Sequence, residues 1–138
     1  MAERAGYRGY MGSRPYFGAR VSQHVQNLVI RDYCGRHGFH FLLSATEYAM
    51  PDCHMILEQV LDEVSGLDGI VLYSIFMLPP DRDRRLAVYR RVLDAGATLH
   101  GAVENLALTD ESHIARIEDI WAVQQWLPSC PTSLPVGG

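Results

Sequence analysis

The chain has 138 residues, 48% of them apolar, which fits a single globular domain. All 12 basic side chains are arginines, and the sequence contains no lysine. Schiff-base aldolases, pyridoxal-phosphate enzymes and Walker-type P-loop ATPases each need a lysine amine, so these classes are excluded. A net charge of −4 argues against a dedicated nucleic-acid binder, and we therefore expect no nucleic-acid partner.

Other broad features indicate a protein of the reducing cytoplasm. The longest apolar runs are far shorter than the roughly 20 residues that span a bilayer, so we expect no membrane partner. The first four residues show no apolar signal-peptide core. The cysteines, Cys34, Cys53 and Cys130, are odd in number and widely spaced, which predicts free thiols. The six histidines lack a ligand spacing, so neither a metal nor another cofactor is predicted.

Short apolar runs alternate along the chain with longer amphipathic segments. In chain order, the pattern predicts strand 7–11, loop 12–20, helix 22–36, strand 39–43, a helix opening at residue 51, strand 70–73, a helix capped by Asp81, strand 98–103 and a helix capped by Thr109. Val25, Leu28 and Val29 are predicted on the buried face of the first helix. The arginine-rich face of the third helix is predicted to be solvated.

This alternation predicts one three-layer α/β domain over residues 1–127, followed by a flexible tail, 128–138. The sheet is expected to have four or five mostly parallel strands with helices on both faces. Trp121 and Trp126, on the last helix, are either core residues or a subunit contact, and we expect a homo-oligomer. Ligands of such sheets bind beyond the carboxyl ends of the strands, which ranks the candidate site residues.

The first candidate site is the loop after strand one. Arg14 and Arg20 flank glycines just before a helix N-terminus, where guanidinium groups and backbone N–H groups can hold a phosphate or carboxylate. Ser13 and Tyr16, in the same loop, are predicted to contact the substrate. The alternative is that both arginines pair with surface carboxylates.

Three further residues are candidates for catalysis. Glu47 and Tyr48, at the edge of strand two, are predicted to transfer protons. The alternative is that Glu47 caps a turn while Tyr48 packs on the second helix. Ser22 is either a nucleophile or a helix N-cap.

The edges of strands three and four supply two weaker candidates. Ser74 and Glu104 follow these strands and are predicted to contact the substrate. His100 lies in strand four, where a buried, hydrogen-bonded structural histidine is the commoner outcome.

Several segments resemble the catalytic domain of serine recombinases of the resolvase and invertase type. The likeness rests on Arg20-Val21-Ser22, Gln26-Asn27-Leu28, the run 33–38, the run 68–74 and the run 95–100. It implies a resolvase-like or Rossmann-like fold and makes Ser22 the counterpart of the nucleophile that attacks a DNA phosphate. The family carries transition-state arginines after strand three, whereas this chain has Phe-Met-Leu-Pro-Pro-Asp at 76–81. Without those arginines, strand cleavage is not expected.

A resemblance over most of the chain up to residue 108 is to the uncharacterised sporadic carbohydrate cluster proteins. It rests on the segments 7–10, 13–18, 23–34 and 42–51. It implies a role beside genes for cell-surface or secondary-metabolite sugars, without an assigned reaction.

Together these observations favour a metal-independent enzyme that performs acid–base chemistry on a sugar, sugar phosphate or nucleotide-linked sugar. An isomerase, epimerase, lyase or cyclase fits the predicted residues. One alternative is a glycosyl-transfer or nucleoside-processing enzyme with a glutamate nucleophile at Glu47 or Glu104. The other is a non-catalytic binding module derived from a serine recombinase domain.

Overall fold

The computed structural model describes residues 5–12, 21–47 and 54–126, and for residues 125 and 126 only the backbone. These residues form five strands and four helices, with short 3-10 turns between them. In chain order they are β1 (Tyr7–Gly12), α1 (Gln23–His37), β2 (Phe41–Glu47), α2 (Met55–Asp62), β3 (Gly69–Leu72), α3 (Arg82–Asp94), β4 (Thr98–Gly101), β5 (Leu106–Leu108) and α4 (Ile114–Trp126).

One five-stranded sheet organises the molecule, in the order β2-β1-β3-β4-β5. The first four strands run parallel, and β5 runs antiparallel to β4. The chain order reverses between β1 and β3, which makes this gap the switch point of the sheet. The predicted α/β class with a mostly parallel sheet of four or five strands is confirmed, although no strand was predicted at the position of β5.

Helices cover both faces of the sheet, as adjacent residues of β1 show. A Cβ at Gly9 would lie 3.0 Å from Ile30 of α1, on one face. Tyr10 is buried on the other face, where its hydroxyl bonds Glu47, which in turn bonds the backbone of α2. Apolar side chains on both faces form one continuous core.

The buried face of α1 differs from the predicted one. Val25 and Leu28 are 45% and 50% exposed, and the inward positions hold Gln26, Ile30 and Tyr33 instead. Because polar Gln26 occupies an inward position, the buried face of α1 lies about one residue away from the apolar stripe of the sequence. The prediction for Val25 and Leu28 was therefore wrong, and the reason is that Gln26 points inward to bond the backbone of Gly12 and Val21.

The predicted solvated face of α3 also needs a correction, because Arg85 is only 2% exposed. Its guanidinium donates to both carboxylate oxygens of Glu118 on α4, at 2.8 and 2.7 Å, and to the Pro80 carbonyl at 2.7 Å. Tyr89 donates to the same carboxylate at 2.6 Å, and the Trp121 ring lies 4.2 Å from the guanidinium carbon. This cluster joins α3, α4 and the turn before α3.

Candidate functional site

The carboxyl ends of the parallel strands lie along one edge of the sheet. β1 ends at Gly12, β2 at Glu47, β3 at Leu72 and β4 at Gly101. Gly12 ends β1 at this edge beside the switch point, and the described chain continues from Val21 into α1. Every described candidate residue lies at this edge or at the start of α1.

Gln26 holds the two ends of the loop 13–20 together. Its buried side-chain amide donates to the carbonyls of Gly12 and Val21, both at 2.8 Å, and accepts from the Gly12 N–H at 3.1 Å. Both N–H groups of the amide nitrogen thus donate to backbone carbonyls. No role was predicted for Gln26, although a polar residue at an inward helix position was the available signal.

Ser22 begins α1 as its N-cap. Its hydroxyl oxygen accepts a hydrogen bond from the Val25 N–H at 3.2 Å, and its backbone is extended, as is usual for a cap. The side chain is exposed. Of the two alternatives for Ser22, the helix cap is the one that the contacts show.

Glu47, at the end of β2, is 1% exposed and accepts at least three hydrogen bonds. The Tyr10 hydroxyl donates at 2.7 Å, and the backbone N–H groups of Ile56 and Leu57 donate at 3.0 and 3.1 Å. The carboxylate therefore ties β2 to the first turn of α2, where its negative charge also meets the positive end of the helix dipole. These contacts match the alternative in which Glu47 acts as a structural cap.

Glu104 and Ser74 form a second contact of this kind, between the ends of β4 and β3. The Ser74 hydroxyl donates to Glu104 at 2.6 Å, and the Ile75 N–H donates to the other carboxylate oxygen at 2.9 Å. Ser74 also accepts from the Phe76 N–H, so it caps the 3-10 turn Ile75–Met77. Ser74 is buried, whereas Glu104 is partly exposed.

The remaining predicted site residues lie outside the described residues: Ser13, Arg14, Tyr16, Arg20 and Tyr48. Their roles stay predictions. The flexible tail 128–138 and the free thiols of Cys53 and Cys130 also lie outside the described residues and stay predictions. Cys34 is a buried free thiol. Trp121 is a core residue of the chain.

An aromatic cluster occupies the opposite, amino end of the sheet. His100 is buried there between the Tyr33 hydroxyl, 2.9 Å from Nδ1, and the Thr98 hydroxyl, 2.8 Å from Nε2. Phe39 stacks on Tyr7 with ring centres 4.0 Å apart. Burial, with a smaller contribution from His37, lowers the pKa of His100 to about 4, so its ring is neutral near pH 7. The expectation of a structural histidine is confirmed.

Within the ranges given above, no three histidine, cysteine, aspartate or glutamate side chains are grouped so that they could hold a metal ion. None of the described helices is long and apolar enough to cross a membrane.

Comparisons with known proteins place this architecture among recombinase domains. No protein-family model and no curated protein matches the sequence. The N-terminal catalytic domain of TP901-1 integrase superposes with a TM-score of 0.62 at 12% identity, over 88% of this chain and 96% of that one. A resolvase family site-specific recombinase from Streptococcus pneumoniae gives 0.62 at 8% identity, over 88% and 90%. The comparisons lend no support to the carbohydrate cluster family.

One prediction about partners is wrong. The exclusion of nucleic acid rested on a net charge of −4, but the chain shares its fold with catalytic domains of site-specific recombinases. A net charge averages over the whole surface and does not describe one edge of a sheet, which is where ligands of such folds bind. The chain has the α/β fold of resolvase-type catalytic domains.

Proposed function

We propose that the protein is a non-catalytic binding module on a recombinase-type fold, which holds a phosphate-type anion at the connection between β1 and α1. The observation that carries the proposal is the use of Glu47 and Glu104. Each carboxylate at the carboxyl edge accepts from the backbone of a connecting segment: Glu47 from two N–H groups of α2, and Glu104 from the Ile75 N–H after β3. Both carboxylates therefore stabilise the edge of the sheet, at the place where the general acid and base of an enzyme would lie.

Proton transfer needs a carboxylate lone pair that faces the substrate. Glu47 is buried beneath three donors, so a substrate would have to displace the first turn of α2 to reach it. A serine nucleophile needs a base within hydrogen-bond reach. The hydrogen bond that Ser22 makes among the described residues is with the Val25 N–H, which is not a base.

The binding half of the proposal rests on how the loop ends are fixed. Gln26 links Gly12 and Val21, the described residues on either side of 13–20, beside the switch point. Ser22 then starts α1, whose first N–H groups carry partial positive charge. In this proposal Arg14 and Arg20 supply the guanidinium groups, while Ser13 and Tyr16 add hydroxyl contacts.

The sugar-enzyme hypothesis and the glutamate-nucleophile hypothesis both need Glu47 or Glu104 to leave these backbone donors. The experiment below tests both hypotheses, because each of them predicts turnover of a substrate. Tyr48 belongs to the sugar-enzyme hypothesis as its proton donor and has no role in the binding module.

Thermal unfolding in the presence of inorganic phosphate, a hexose 6-phosphate or a short DNA duplex tests the proposal. We expect at least one of these phosphates to raise the Tm of the wild type by mass action. The double variant Arg14→Ala/Arg20→Ala should lose that rise. Arg36→Ala is the matched control, because Arg36 is exposed and pairs within α1 with Asp32, so it should keep the rise.

The arms of the experiment also separate binding from catalysis. Ser22→Asn keeps an N-cap but removes the hydroxyl nucleophile, and it should bind as the wild type does. Nicking of supercoiled DNA that Ser22→Asn abolishes would overturn the proposal. Consumption of the hexose phosphate that Glu47→Gln abolishes would overturn it as well, and so would a wild type that none of the three phosphates stabilises.

A further inference from the structure

The outer edge of β2 and the groove beside it form a surface that the proposed function does not use. Among the described residues, β2 pairs only with β1, so its other edge presents unpaired backbone groups. A strand edge of this kind is a template for a further extended chain. The groove is lined by Met11, Gln23 and His24 as well as by β2, so it adjoins the β1–α1 connection where the anion is proposed to bind.

A groove of about 310 Å³ runs along this edge between β2 and α1. Its apolar wall includes Leu43, which is 56% exposed, and Phe41, while its polar wall includes His24 and Asn27. Asn27 accepts from the Ser44 hydroxyl at 2.7 Å, which fixes α1 against the strand. The groove can therefore take an apolar side chain from a strand laid along β2, because alternate residues of a strand point to one face.

The charges around the groove determine which peptide it fits. Among the described residues, Asp32 pairs with Arg36, and Glu63 pairs with Arg8. Arg31 is exposed, lies over the Phe41 ring with its guanidinium carbon 5.8 Å from the ring centre, and forms no ion pair with the described residues. Within the part of the chain that the structure describes, Arg31 is thus a cation at the rim of the groove without a carboxylate partner.

A local irregularity limits where the added strand can pair. The register between β1 and β2 shifts between Tyr7 and Gly9, so β2 has one extra residue there. The Leu43 carbonyl is taken by the Arg8 guanidinium at 3.2 Å. A bulge of this kind makes the first half of the β2 edge unsuitable for pairing with another strand and leaves Ser44–Glu47 as the regular part.

We propose that the β2 edge binds an extended peptide of a partner protein, in which apolar residues alternate with acidic ones. The peptide pairs with the Ser44–Glu47 part of β2. Where it extends past the bulge, it places an apolar side chain against Leu43 and brings a carboxylate to Arg31. Main-chain hydrogen bonds supply affinity, and the groove and the arginine supply the choice of sequence.

A labelled, acetylated seven-residue peptide that alternates valine with glutamate is the probe, and fluorescence anisotropy measures its binding. We expect saturable binding, roughly tenfold weaker for Arg31→Glu, and weaker for Leu43→Ser. The matched controls are Arg84→Glu, another exposed arginine without an ion pair among the described residues, and Val123→Ser, which is 59% exposed on α4. Both controls should bind as the wild type does.

Two further measurements make the proposal falsifiable. The bound peptide should slow amide hydrogen exchange in β2 but not in β5, the other edge strand. The same peptide with methylated backbone nitrogens should not bind. The proposal is overturned if the probe does not bind, if Arg31→Glu binds it as the wild type does, or if β2 protection rises with protein concentration alone, which would assign the edge to a second copy.

Discussion

The two ends of the sheet bury polar side chains in different ways. At the carboxyl end, Gln26, Glu47 and Glu104 accept from or donate to backbone groups of the connecting segments. At the amino end, His100 is neutral and bonds the side chains of Tyr33 and Thr98 among stacked rings. At the carboxyl end, polar side chains thus position the connecting segments, whereas at the amino end they are part of the core.

The comparison predicts its largest effect at Glu47. Glu47→Ala leaves the Tyr10 hydroxyl and two N–H groups of α2 without their acceptor, so the free energy of unfolding should fall by about 4 kcal/mol. Urea unfolding measures it. Glu58→Ala, which removes an exposed carboxylate paired with Arg91, is the control and should cost less than about 1 kcal/mol. Equal losses in both variants would remove the special role of Glu47.

The amino end should respond to pH. The pKa of His100 is about 4 in the folded chain, against 6.5 for an ordinary histidine. Below pH 6.5 the unfolded chain therefore binds a proton at His100, while the folded chain leaves the ring neutral. Stability is full above pH 6.5 and falls, by about 3 kcal/mol in total, as the pH drops to 4. His100→Gln should flatten this part of the stability profile, whereas exposed His24→Gln should not. An unchanged slope in His100→Gln would contradict the prediction.

A smaller loss is expected when the loop clamp is removed. Gln26→Leu keeps the volume but leaves the backbone groups of Gly12 and Val21 without partners, which should cost about 2 kcal/mol in urea unfolding. Gln23→Leu changes an exposed glutamine of the same helix and serves as the control. The clamp is not needed if both variants unfold at the same urea concentration.

The smallest effect is expected at the start of α1. Ser22→Ala removes the acceptor of the Val25 N–H and should cost about 1 kcal/mol. Ser22→Asn, which can still cap, should stay close to the wild type in the same unfolding experiment. A loss of equal size in both would show that the hydroxyl acts through something other than the cap.

The sequence was sufficient for the class of fold but not for the roles of the site residues. The strand–helix alternation predicted the parallel strands, while β5 has only three residues and shows no usable period. Glu47 was predicted as a site residue from its place at the edge of strand two, yet its backbone partners come from a helix whose position depends on the tertiary fold. Likewise, Arg85 looked solvated because its partner Glu118 is 33 residues further along the chain.

The contacts of Arg85 have a consequence for how the chain opens. One guanidinium bonds Glu118 of α4 and the Pro80 carbonyl, while its face lies on Trp121. If α4 detached alone, it would leave a buried cation without its counter-ion, which is among the most costly of local defects. The proline turn, α3 and α4 should therefore behave as one cooperative unit, whose amides share a single opening free energy in native-state hydrogen exchange.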